Sequence, residues 1–134
     1  MNRHLLLDSN VLIAMMHPEH TSHGLVQAWW TVEQPGIATC PITQGSVVRF
    51  YMRLEGALGA QSAINALTGL ASKQYHRFWP DDLQYTILPL DGLYGHKQVT
   101  DLYLVALAQS KGSLLVTMDR ALAAWHPSSC LLLG

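Results

Sequence analysis

Apolar residues in this chain come either in short solid blocks or in longer stretches where they recur every three or four positions, and the two rhythms alternate along its length. Blocks read as strands and spaced stretches as amphipathic helices, so the alternation predicts βαβ units around a parallel sheet. "HLLL", from His4, is the first expected strand, and "SNVLIAMM" a short helix that stops before His17 and Pro18. A second helix is expected from about Glu19 to Val32, with Leu25, Val26, Trp29 and Trp30 on its apolar side and "EQPG" ending it. "IATC" predicts a second strand, closed by Pro41. Helices are then expected from Thr43 to about Arg53 and from Ala60 to Ala71. "SKQYHRFWPDD" reads as a loop or short helix, and "QYTILPL" as a third strand. "QVTDLYLVALAQSKG" is a helix with few polar side chains, stopped by Gly112, and therefore expected to be buried. "SLLVT", "DRALAAW" and "SSCLLL" predict a fourth strand, a short helix and a last strand.

Composition narrows the picture. A chain of 134 residues, 49% apolar and 13% charged, suits one domain over residues 1–134 with a substantial core. The formal net charge of -1 excludes a global basic field, so any nucleic-acid contact must be local. No apolar run approaches the roughly 20 residues of a membrane span, and "MNRHLLLD" is too short for a signal peptide, so a cytoplasmic protein is expected. Cys40 and Cys130 match neither a disulfide scaffold nor a zinc finger, and read as small core residues.

Three acids stand out against this background. Asp8 follows the first strand, Asp119 lies two residues beyond "SLLV", and Asp101 sits in the first turn of the most apolar helix. Each has a local explanation: Asp8 or Ser9 as a helix N-cap, Asp101 as a charge favoured by the helix dipole. Yet the crevice beyond the carboxyl ends of parallel strands is where ligands bind, and acids at strand ends converge there. Gathered carboxylates raise one another's pKa unless a cation joins them, and an all-oxygen set suits Mg²⁺ or Mn²⁺. That combination supports metal-assisted phosphodiester hydrolysis. A phosphotransfer enzyme with Asp8 as nucleophile fits less well, since Asn10 stands where such enzymes usually carry a second Asp.

"LLLDSNVLI", "TCPITQGSVVRF", "VTDLYLVALA" and "LLVTMDRAL", in this order, resemble the PIN domain, in particular the VapC toxins of bacterial toxin–antitoxin systems. The resemblance covers nearly the whole chain. It implies a three-layer α/β/α fold with a central parallel sheet, Mg²⁺- or Mn²⁺-dependent endoribonuclease activity on an RNA substrate, a homodimer, and a cognate VapB-type antitoxin. It assigns Asp8, Asp101 and Asp119 to the catalytic metal site, with Asn10 and Thr117 as supporting polar residues. The family's second acid, usually Glu, falls on Gln44. One charge about 4 Å from a cation is worth on the order of 4 kcal/mol at an effective dielectric near 20, so this departure implies weaker metal binding. It also motivates an alternative, a weakly active or inactive PIN-like protein that binds RNA or antitoxin.

Arg49 and Arg53, at i and i+4, share a face of the helix that also carries Gln44, while Lys97 and Arg120 neighbour two of the acids in sequence; all four are candidate phosphate contacts, and a solvated face is the competing reading. His17, His20 and His23 recur every three residues, but Pro18 argues against one helix carrying all three as zinc ligands. Trp29 and Trp30 suit base stacking or packing, and "YHRFWP" suits a partner's helix.

Overall fold

The computed structural model describes residues 3–134. Five parallel strands, β1 (His4–Leu7), β2 (Gly36–Thr39), β3 (His76–Phe78), β4 (Leu115–Thr117) and β5 (Cys130–Leu132), form one sheet in the order β3-β2-β1-β4-β5. The chain winds outward from β1 to β3, then crosses back to place β4 on the other side of β1. The reversal between β1 and β4 is a topological switch point, and a crevice opens there beyond the strand ends.

Helices cover both faces, giving the expected three layers. α1 (Ser9–Met16), α2 (His23–Glu33), α3 (Pro41–Glu55) and α4 (Gly59–Ala71) pack on one side through Val11, Leu12, Val26, Val47 and Ala63. α5 (Val99–Ser110) and α6 (Arg120–Trp125) pack on the other. Successive strand residues serve opposite faces: Leu5 and Leu7 join the first core, Leu6 the second. α5 is buried continuously from Leu102 to Ala108, as its lack of polar side chains predicts, and Gly112 follows it with φ of 66°. Gly59 is required where α4 starts, because a Cβ there would run into the backbone carbonyl of Tyr51 on α3.

Three expectations need correction. "QYTILPL" is not a strand: Tyr85–Ile87 is a single 3-10 turn in a long connection, with Ile87 and Leu90 exposed. The third strand is instead the "HRF" of the segment read as loop or short helix; it is a short edge strand with two of its three residues exposed, so it carries no apolar block. α2 begins four residues later than expected, after two consecutive turns closed by the N–H groups of His20 and His23 on the carbonyls of His17 and His20. Pro41 also does more than end β2: it occupies the first turn of α3, where a missing N–H costs nothing.

Candidate active site

The strand-to-helix junctions bring the acids together. Asp8 leaves β1 in extended conformation and caps α1, its Oδ1 accepting from the Ser9 N–H at 2.8 Å. Asp119 caps α6 in the same way, accepting from the Leu122 N–H at 3.0 Å. Thr117, the last residue of β4 and fully buried, links the two: its hydroxyl donates to Asp8 Oδ2 at 2.8 Å and accepts the Asp119 N–H at 3.0 Å. Capping and site-building are thus compatible uses of one carboxylate, since each carboxylate oxygen carries more than one lone pair. Asp101 reaches the same place from the first turn of α5.

These three acids line one cavity of about 430 Å³ together with Ser9, Asn10, Thr100, Leu104, Thr117 and Met118. A larger depression, about 520 Å³, lies between Arg3, Trp29, Glu33 and Leu131 to Leu133, but gathers no such set of acids. Electrostatics single out the smaller one. Burial, then the charges of Asp8 and Asp119, push the Asp101 carboxyl up to about 6. Burial raises Asp8 as well, partly offset by the Thr117 and Ser9 hydrogen bonds. Cys130 lies near enough for burial and the same three acids to push its thiol up to about 11.

Among the described residues, no three His, Cys, Asp or Glu side chains stand close enough to form a ready-made metal shell. The donor set nevertheless fits a hard cation that keeps its waters: Mg²⁺ is typically held by one or two carboxylates within an aqueous pocket, and a positive charge would relieve the repulsion that raises Asp101.

The remaining candidates divide. Asn10 and Thr117 line the cavity. Gln44, Arg49, Arg53, Lys97 and Arg120 are not among its lining residues. The Gln44 Nε2 donates to Thr39 Oγ1 at 3.0 Å, and that oxygen is 2.7 Å from His76 Nε2 on β3. Burial and then the charge of His4 lower the His76 pKa, which favours its neutral ring. Arg49 is tied instead to Ser46 at 3.1 Å, and Ser46 accepts from Ser9 at 2.8 Å, one residue from Asp8. No local pattern announces this pair, since Ser9 and Ser46 are 37 residues apart. His17 packs edge-on against Phe50 and Tyr51, His20 packs against the same Phe50 and accepts the Ser22 N–H, and His23 bonds to the Ala14 carbonyl, so each histidine is engaged in local packing or backbone contacts. Trp29 and Trp30 pack against the first core, Trp30 beside Tyr75 at 5.0 Å between ring centroids.

Residues 5–125 match the PIN domain family. The chain belongs to the PIN-domain VapC family. It is 40% identical over 129 residues to Ribonuclease VapC29 of Mycobacterium tuberculosis, an alignment spanning 96% of each chain. Ribonuclease VapC39 of the same organism is 39% identical over 125 residues, covering 88% of this chain and 90% of the relative. This PIN domain also superposes on the crystal structure of M. tuberculosis VapC20, a sarcin-ricin loop cleaving toxin, with a TM-score of 0.65 over 91% of this chain and 95% of that one. At 14% identity, that likeness is one of fold.

Proposed function

We propose that this chain is a divalent-metal-dependent endoribonuclease toxin that hydrolyses RNA phosphodiester bonds in the cytoplasm. The observation that carries the reading is the single cavity where Asp8, Asp101 and Asp119 meet at the switch point of the sheet. In this reading Asp8, Asp101 and Asp119 would hold Mg²⁺ or Mn²⁺ between them, partly through its retained waters. The cation supplies Lewis acidity and charge neutralisation for phosphodiester hydrolysis. Thr117 fixes the orientation of Asp8 and the backbone of Asp119, and Asn10 offers an exposed amide donor at the cavity edge. Arg49, Arg53, Lys97 and Arg120 contact RNA phosphates farther out, positioning the strand without reading its sequence.

VapC membership supports a VapB-type antitoxin as partner and a homodimer as the working assembly. Apolar surface for such contacts is present at the bend between α3 and α4, where Met52, Leu54 and Leu58 are exposed.

The test is cleavage of labelled RNA by the purified chain with Mg²⁺ or Mn²⁺. Asp8→Asn and Asp101→Asn are each expected to lower the rate at least a hundredfold, and EDTA to abolish it; undiminished cleavage by either variant overturns the assignment. Gln44 favours a second reading, a VapC-like protein that binds RNA or antitoxin without turnover, because its amide is engaged with Thr39 and adds no charge to the acids. Calorimetric titration with Mn²⁺ separates the two: binding lost in Asp101→Asn supports the enzyme.

A further inference from the structure

Two further hollows adjoin the carboxylate cavity beyond its acids. Asp101 and Asp119 also form a wall of a smaller pocket, about 80 Å³, completed by Gln98, Leu122 and Trp125. Trp125 is shared in turn with a depression of about 460 Å³ between Pro89, Asp91, Gly92 and His126. The three hollows adjoin in a row: the first two share Asp101 and Asp119, and the last two share Trp125, beyond which lies the turn at Asp91 and Gly92.

The outer end is firmly built. The Trp125 indole N–H donates to the Asp91 carbonyl at 2.9 Å. Gly92 has φ of 81°, and a Cβ there would run into the indole, so only glycine lets the turn close down on the ring. The His126 ring lies beside it, with centroids 4.3 Å apart. Nearer α5, the Gln98 side-chain oxygen accepts from the N–H groups of Tyr94 and Gly95 at 2.7 and 3.0 Å, tying down the approach to Asp101.

Charge decides what such a row of hollows accepts. No Lys or Arg is among the residues lining its three parts, whereas Asp8, Asp101, Asp119 and Asp91 are. A phosphate would be repelled along the outer stretch, but a flat uncharged ring would meet indole, imidazole and proline. Burial lowers the His126 pKa, which keeps that ring neutral at pH 7.

We propose that the outer depression is a base-binding subsite, in which a nucleobase near the scissile phosphate lies against Trp125 and His126. The proposal rests on the ribonuclease reading above, and it makes an unpaired nucleotide beside the cleaved bond part of what the protein selects.

The test uses octauridylates carrying one photoreactive 5-iodouridine at successive positions, irradiated with the full chain in Ca²⁺ and mapped by mass spectrometry. The expected adduct forms on Trp125 or His126, and from a restricted position in the probe. Trp125→Leu and His126→Ala are each expected to reduce the adduct and to lower kcat/KM on a cleaved RNA roughly five- to a hundredfold, with Mn²⁺ affinity unchanged. Trp125→Phe, which keeps a ring, retains most of both. His126→Ala provides an independent reading if Trp125→Leu does not fold. RNA cleavage without an adduct on either residue overturns the subsite and leaves the nuclease standing. An adduct there without cleavage in Mg²⁺ or Mn²⁺ supports the base site and overturns the nuclease. Unchanged kcat/KM in folded Trp125→Leu and His126→Ala overturns the subsite whatever the cross-links show.

Discussion

The Thr117 hydroxyl donates to one acid and receives the backbone N–H of another, from a position with no exposed surface. Valine at that position keeps the shape but leaves the Asp119 N–H without this acceptor and Asp8 without this donor. Thr117→Val is therefore expected to lower Mn²⁺ affinity by about 10- to 100-fold while Thr117→Ser stays near the parent, as measured by calorimetry. Gln44 presents the opposite case, a residue the family pattern points to but whose amide is spent on Thr39. Gln44→Glu is expected to change Mn²⁺ affinity less than about threefold and to raise the His76 pKa by bringing a carboxylate to its hydrogen-bond chain, read by NMR titration; a tenfold gain in metal affinity would show that the side chain turns to the acids instead. His76 itself makes stability depend on pH. Its folded pKa lies below the ordinary 6.5, so the fold prefers the neutral ring: that contribution is complete above about pH 6.5 and is lost as pH falls through the lowered value. His76→Gln is expected to lose less melting temperature than the parent between about pH 7.5 and 5.5.

α1 and α5 illustrate when a pattern suffices. α1 was legible to the residue because Asp8 caps it and Pro18 lies just beyond its end, and α5 because so apolar a helix has nowhere to go but the interior. Leu107 of α5 is fully buried in the second core, and Leu107→Ala is expected to cost about 2–5 kcal/mol in denaturant unfolding. β3 was illegible for a physical reason: an edge strand of three residues needs no continuous apolar block to be held by its neighbour. "QYTILPL" misled because only Leu88 of its apolar residues is buried, anchoring a connection that is otherwise exposed. Asp8, Asp101 and Asp119 could be read from their positions at strand and helix ends. The Ser9–Ser46–Arg49 chain and the hollows on either side of Trp125 depend on which elements become neighbours, which no single segment records.

The molecule as a whole carries only eight Lys and Arg against nine Asp and Glu. Attraction to RNA therefore comes from a few cations around a site whose own acids repel phosphate until neutralised. If Arg49, Arg53, Lys97 and Arg120 are the contacts, log Kd for single-stranded RNA should vary with log salt with a slope no steeper than about 3, and binding should weaken when the divalent ion is withdrawn; a slope near 6 would show a basic surface contributed by another chain. The bond between Thr117 and Asp8 has a consequence in time as well as in space. It joins residues 109 positions apart, on strands that neighbour each other at the centre of the sheet. While the polypeptide is being made, Asp8 is joined by its partners only after more than a hundred further residues; a growing chain that stops short of β4 has neither Thr117 nor Asp119. Synthesis itself thus keeps the acid site incomplete until β4 and Asp119 have been made.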